Sequence, residues 1–567
     1  MSFSYTLTRG MKTKQILDNG RQLLIRRQSG IFSAALVISL TYGASMLLGI
    51  LRERLLMSRF YLCCKEQLDV YYAAFRLPDM IFQLIVVGAL SAAFIPVFSD
   101  YLENDQEKAH KLASTLINIL FLFFLIFSLI IFIFARPFSD LITGNFTPEQ
   151  IDLMASMTRV MLLAQIFFLV SNFLAAILQS YQRFLLPSLS PLIYNLAIIL
   201  SVLLFSRTLG IRSAVIGVVF GALLHLLIQV PLAFLLGFRP SFSLDWSEPG
   251  VRKVLKLMFP RTLALAVSQV EATISVFFAT SLSPGSLTIY YLAQKLIDLP
   301  VRLVGTSVGQ AALPALSLQL AQKRKQDFKD TFLRSFEQIL YLSLPMTALF
   351  LVLRVQLVRF AYGSRNFPWV ATIMTGRTLA VFTLSVFSQC AIQILVRGYY
   401  ALHDTRTPFY LGLISLVVNV SLSAFFVFGL NLGILGLAFA FSLTNFLNML
   451  LLLLFFDLKK EKIIHKENLV KWLKMIFASV VAGFFAWLTM KTLDNFVLNT
   501  TKTLPLLVLT LLSSLVGLGV YLLFSLILNL KEFNLFLKLI KKLGFWKESL
   551  SSVEEMIEPT SSPGSGL

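Results

Sequence analysis

The chain has 567 residues, 57% hydrophobic and only 14% charged, with a mean hydropathy of +0.79, whereas a soluble domain is about 25% charged. That composition excludes an ordinary soluble protein, and four histidines with three cysteines, in no CxxC or Cys/His spacing, exclude a metal framework. The net charge of +20 would point to nucleic acid in a soluble chain, but most of the cations fall between apolar runs, the pattern of positive cytoplasmic loops.

Residues 1–30 are polar and basic, and no short apolar core followed by a small-residue cleavage site appears, so the first span is expected to stay in the mature protein. The stretch QILDNGRQLLIRR (16–28) reads equally as a surface-lying amphipathic helix or a solvated leader. Fourteen apolar runs of spanning length follow, near 31–51, 68–98, 112–135, 152–182, 186–206, 211–237, 254–282, 287–319, 332–355, 369–401, 408–429, 432–456, 470–490 and 504–530. Runs of this length must be helices, because backbone groups in lipid have to be satisfied within the segment. The tail from Ser551 has a disordered composition.

Lys and Arg number six in residues 1–30, five in 323–334, six in 457–474 and five in 531–547, all on one side of a fourteen-span chain. The opposite connections hold one, none and two at 136–151, 283–286 and 491–502, so both termini are expected to be cytoplasmic. Residues 52–65 break the rule with four cations. A weak repeat pairs SAAFIPVFS (91–99) with GQAALPALS (309–317), and ILQSYQRFLLP with Asn195 echoes ILVRGYYALHDTRTP with Asn419. The expected plan is all-α: a cytoplasmic basic leader 1–30, six-helix lobes 31–237 and 238–456, two extra transmembrane helices 457–530, and a cytoplasmic tail 531–567. Repeated halves are a transporter plan with the substrate at their interface.

Charges within spans usually face protein or water and mark a path, since an arginine at the centre of a lipid-facing helix costs roughly 2.5 to 3.5 kcal/mol. In LLGILRERLLMSRF (47–60), a continued helix puts Arg52 and Arg59 on one face above Gly49 and Ser45, with Glu53 pointing elsewhere. A juxtamembrane loop whose arginines meet headgroups is the other reading of that stretch. LDVYYAAFRLPDMIFQL aligns Asp69 with Arg76 beside Asp79; Pro78 predicts a kink and Gly88 a second flexible point. YYLAQKLIDLPVRLVG aligns Lys295 with Arg302, Asp298 lying within ion-pairing reach of both, and adds Pro300 and Gly305. FPRTLALAVSQVEATIS sets Arg261 near the inner end, with Gln269 and Glu271 deep in the span. Glu271 reads either as a cation-coupling carboxylate or as a structural partner of a basic residue. The surplus is positive, which suits an anion such as a diphosphate-bearing lipid, since arginine grips phosphate oxygens in a bidentate fork. Walker, HExxH, GxSxG and acidic-loop motifs are missing, so no enzyme and no cofactor is expected.

LDVYYAAFRLPDMI, GALSAAFIPVFSDY, ILQSYQRFLLPSLSPLIYN, LKLMFPRTLALAVSQV, AQKLIDLPVRLVGTSVGQAALPALS and RGYYALHDTRTPFYLGLISLVVN together resemble the MurJ/MviN family of lipid II flippases, in the superfamily that includes MATE exporters. The resemblance implies movement of undecaprenyl-linked peptidoglycan precursor from inner to outer leaflet of the bacterial inner membrane. It also implies alternating access of two six-helix lobes and a lipid-tail groove in the last two helices. The family's cavity arginine matches Arg52, and its acidic residue near the start of the second helix matches Asp69. The chain departs at Met46, Phe82 and Gln83, where relatives carry arginines, and at Lys295, where a basic residue is kept as lysine. Ser423 stands where some relatives complete a sodium site, which puts sodium coupling in doubt.

The expected roles are head-group binding by Arg52, Arg59, Arg76, Lys295 and Arg302, charge partnership by Asp69, Asp298 and Glu271, and bending at Pro78, Gly88, Pro300 and Gly305. Expected partners are lipid II or a related undecaprenyl-diphosphate lipid and membrane lipids, with the cell-wall machinery left open and the chain acting as a monomer. The rival readings are an oligosaccharide-lipid flippase or MATE-type drug exporter, a polytopic glycosyltransferase, and a non-transporting scaffold.

Overall fold

The structure, a computed structural model, describes residues 31–90, 94–459, 462–463, 465–500 and 502–533, without the side chains of 31–40 and 459. The basic leader, part of the SAAFIPVFS stretch and the tail from Ser551 lie outside the described residues. Among the described residues every regular element is helical, as the need to satisfy backbone groups in lipid requires. Short polar signals start two of the long helices. Asp105, in extended backbone, accepts from the amides of Glu107 and Lys108 before the helix Gln106–Ile133. Thr147 and Gln150 form a reciprocal capping box, with Pro148 in the first turn of Pro148–Ser180.

Among the described residues eleven helices are long and apolar enough to cross a membrane, and the bent pair Trp369–Thr383 and Val386–Ala401 adds a twelfth. The difference from fourteen lies in two places. The first two expected spans form one helical stretch, Thr41–Val87, kinked by non-helical backbone at Cys64; its 47 residues would reach about 70 Å if straight, over twice the hydrocarbon thickness. The expected span 287–319 is split into Ser286–Pro300 and Ser307–Ala321 by a wide π-type turn, Val301–Thr306. The neighbours Cys63 and Cys64 are paired as a disulfide at that kink. Cys390 is free and buried.

Proline acts one turn before its own position. Pro78 lacks an amide and its ring crowds the carbonyl of residue 74, and the helix Leu62–Ala74 ends there, restarting as Arg76–Phe82. The expected kink at Pro78 thus falls at Phe75, and the released Ala74 carbonyl accepts from the Thr158 hydroxyl at 3.3 Å. A second π-type turn, Gln83–Val87, follows and leads into Gly88.

Two compact units are present. The first runs to Leu296 and adds Leu357–Phe382 and Phe409–Thr444; the second comprises Ile297–Gln356, Thr383–Pro408 and the chain from Asn445 on. In the first unit, Ile31–Leu56 packs on Leu185–Leu209, which packs on Arg212–Leu227. Gly217 and Gly221 permit the second contact: a Cβ at Gly217 would lie 2.8 Å from the Ile198 Cα, and one at Gly221 2.9 Å from the Tyr194 carbonyl. Small residues spaced by four let helix backbones approach in just this way. In the second unit, Lys325–Val352 packs against Lys466–Thr492, and Thr503–Ile527 packs on the latter. Lys471 there pairs with Glu337 at 2.6 Å and Glu532 at 2.5 Å.

Candidate functional site: a charged cavity in the first unit

The close packing that Gly217 and Gly221 allow holds Tyr194 and Asn195 beside the first helix. Asn195 donates to the Ser45 carbonyl and hydroxyl, each at 3.3 Å, and its Oδ1 accepts from Arg52 Nη1 at 3.0 Å. The other end of the Arg52 guanidinium turns to the next residue along, 2.6 Å from Glu53 Oε1. Glu53 is buried, and it also accepts from Lys295 Nζ and from the Tyr72 hydroxyl. One carboxylate therefore gathers two cations and a phenol from three helices. Lys295 lies 5.5 Å over the Tyr72 ring, a cation–π contact. Arg76, buried at 7% exposure, reaches the helix Pro249–Thr280, where its Nε donates to the Thr273 hydroxyl at 3.0 Å and its Nη2 to Gln269.

These groups surround a cavity of about 240 Å³, lined by Arg52, Arg76, Lys295, Glu53 and Asp79 and by the rings of Tyr71, Tyr72, Phe75, Tyr194 and Tyr291. Three cations face two carboxylates, leaving one positive charge in surplus. Ionised groups this deep need compensation, and Glu53 provides most of it.

Three of the expected cations, Arg52, Arg76 and Lys295, thus meet in one cavity. Arg59 does not. It falls in a π-type turn, Met57–Tyr61, whose wider winding breaks the seven-residue register with Arg52, so that Met57, Phe60 and Tyr61 are buried while Arg59 is exposed. Arg54 donates to the Phe360 carbonyl at 3.4 Å. Glu53 corrects the expectation that it points elsewhere: residues 52 and 53 diverge by about 100° on a helix, yet Arg52 folds its long side chain back across that angle. Asp69 accepts from the amides of Gly285 (2.6 Å) and Thr288 (2.7 Å) and from the Thr288 hydroxyl (2.6 Å), which fixes the start of the helix Ser286–Pro300.

Arg302 and Asp298 belong to the second unit, 4.0 Å apart, with 74% and 44% of their side chains exposed. Glu271 is half-buried, and its carboxylate has no hydrogen-bond or ion-pair partner among the described residues. Gly88 packs on Thr262, and in the second unit Gly305 packs on the Cys390 backbone. Of the departures, Met46 is 38% exposed and Phe82 meets the Phe168 ring at 6.2 Å. Sequence reasoning missed Glu53 as the hub, Asn195 and Gln269 as arginine partners, and the tyrosine wall. The adjacent Arg-Glu-Arg of residues 52–54 was the available signal for the first.

A family profile described as "Lipid II flippase MurJ" matches residues 61–507. The "Probable lipid II flippase MurJ" of Buchnera aphidicola subsp. Acyrthosiphon pisum is 27% identical over 422 residues, 73% of this chain and 81% of that protein. That of Vibrio cholerae serotype O1 is 26% identical over 505 residues, 86% and 94% of the two chains. Among solved structures, "Lipid II flippase MurJ, inward closed conformation" aligns at a TM-score of 0.71 and 24% identity, covering 87% of this chain and 98% of that one. An inward-facing multidrug resistance MATE family transporter of the MOP superfamily aligns at 0.58 and 13% identity, covering 76% and 95%. The two structures speak for a shared fold; the profile, which spans most of the chain, speaks for kinship, and this chain belongs to the lipid II flippase MurJ family.

Proposed function

We propose that this chain is a flippase that carries lipid II from the inner to the outer leaflet of the bacterial inner membrane, holding the diphosphate at Arg52 and Lys295. Family membership supplies the substrate, and the convergence of Arg52 and Lys295 on Glu53 in one cavity carries the assignment of the site. Without substrate, Glu53 neutralises both cations. Diphosphate oxygens entering the cavity replace the Glu53 carboxylate, a like-for-like exchange of charge-assisted contacts. Arg76 is the reserve cation, released from Gln269 and Thr273 as the head group enters. Asp69 acts by position: it fixes the first turn of the helix that presents Lys295. Bending at the Pro78–Gly88 and Pro300–Gly305 breaks, each carrying a π-type turn, exchanges access between lobes 31–237 and 238–456.

In the second unit an apolar groove of about 370 Å³ between Lys325–Val352 and Lys466–Thr492, lined by Leu351, Leu384, Phe387, Val480, Phe484 and Trp487, suits the polyprenyl tail. The chain acts as a monomer with both termini cytoplasmic, and a membrane potential could contribute about 2.3 kcal/mol per charge per 100 mV. An exporter of cationic drugs would need an acidic surplus, and the lining charges run the other way. The test is rescue of cells depleted of their own lipid II flippase. The parent chain restores growth, and Arg52→Ala and Lys295→Ala do not at matched expression. Normal rescue by both variants would remove the site assignment.

A further inference from the structure

Between Val230–Leu235 and Pro249–Thr280 the chain has no regular structure, yet it is fastened along the outside of the helix Gln106–Ile133. Gln106 donates to the Leu236 carbonyl at 3.1 Å, Ser114 Oγ accepts from the Ser241 amide at 3.2 Å, and Asn118 donates to the carbonyls of Ser241 (2.8 Å) and Ser243 (3.1 Å). Trp246 meets Phe123 edge to face at 5.9 Å. From residue 106 to 123 the helix rises about 25 Å, so the segment climbs from its polar first turns into its apolar stretch. Outward, at alternate positions, stand Phe242 (102% exposed), Leu244 (48%) and Trp246 (46%). That is the period of an extended strand with one apolar face.

The surface beside this row shows what covers it. Leu122, Phe123, Leu125 and Ile126 of the same helix are 40 to 47% exposed within a span of hydropathy 3.1, and such side chains face lipid. An irregular segment can lie at the edge of that medium only where its backbone groups are bonded to protein or to interfacial water, and the Gln106, Ser114 and Asn118 bonds hold those of Leu236, Ser241 and Ser243. Charges of both signs stand in and beside the segment: Arg239 and Asp245 within it, Lys111, Glu248 and Arg252 next to it, with Lys253 paired to Asp100 at 3.7 Å and Lys108 to Asp105 at 3.2 Å. This mixture gives no strong selection for one headgroup charge. We propose that residues 238–246 form an interfacial anchor that inserts Phe242, Leu244 and Trp246 among phospholipids at the headgroup–acyl boundary, where Trp is favoured.

The test uses the full chain with Cys63→Ser and Cys64→Ser, the buried Cys390 being left in place, reconstituted in phosphatidylcholine nanodiscs. A spin label at F242C, and at L244C in a second variant, is compared with one at S247C, the exposed polar neighbour. The expected result is severalfold greater relaxation by dissolved oxygen than by a water-soluble nickel chelate at 242 and 244, and the reverse at 247. Added anionic lipid should leave the depth unchanged. Equal nickel access at all three positions, which means an aqueous loop, would overturn the proposal. So would access by neither reagent, which means a protein cover, or insertion only with anionic lipid.

Discussion

Replacing Glu53 with glutamine keeps the shape and the Tyr72 hydrogen bond but removes the charge that Arg52 and Lys295 share. Breaking a buried ion pair from one side costs about 3 to 5 kcal/mol. The Lys295 side chain is 37% exposed against 18% for Arg52, so water screens that arm, and the expected loss falls to about 2 to 3 kcal/mol. The unfolding midpoint in detergent should drop by several degrees. Anion binding should move the other way, because the resident competitor is gone. A unit pair 4 Å apart at an effective dielectric of 20 is worth about 4 kcal/mol. Half of that surviving desolvation gives about 2 kcal/mol, or roughly thirtyfold tighter pyrophosphate binding. Thermal unfolding with and without pyrophosphate reads both effects in one titration. An unchanged midpoint together with an unchanged pyrophosphate dependence would refute the view of Glu53 as resident counterion.

Arg59→Ala, outside the cavity, should rescue flippase-depleted cells as well as the parent does, in contrast to Arg52→Ala; failure at matched expression would return Arg59 to the site. Asp69→Asn keeps one acceptor oxygen but weakens three bonds to Gly285 and Thr288. It should cost about 1 to 2 kcal/mol of stability and lower rescue by misplacing Lys295, an effect that Thr288→Ser, which keeps the hydroxyl, should not reproduce. Gly305→Val sets a Cβ 2.7 Å from the Cys390 Cα; the overpacking should cost about 1 to 3 kcal/mol, read as a lower unfolding midpoint, and an unchanged midpoint would mean that the contact is loose.

The all-helical membrane architecture was legible because apolar runs near 20 residues have one solution in lipid. Counting them was harder, since hydropathy cannot tell a kinked helix at Cys64 from two separate spans, nor see the π-type turn Val301–Thr306 that divides the expected span 287–319. Within the site, Arg52, Arg76 and Lys295 stood out as charges in apolar surroundings. Face arithmetic then failed for Arg59 and Glu53 for one shared reason: it assumes a uniform 3.6-residue winding and side chains that leave the axis radially. The π-type turn Met57–Tyr61 breaks the first assumption, and the folded-back Arg52 breaks the second. Asn195 and Gln269 were hidden because a polar residue in a span does not name its partner.

The central claim is that this chain moves a diphosphate-linked lipid through a cavity gated by Arg52 and Lys295. Its most direct test is the leaflet distribution of lipid II in flippase-depleted cells that express the chain, read by adding from outside an enzyme that cleaves the lipid diphosphate. The parent chain should expose most of the lipid II to cleavage, with Arg52→Ala and Lys295→Ala leaving it protected. Protected lipid II with the parent chain at normal expression, or equal cleavage with the parent and both variants, would contradict the account.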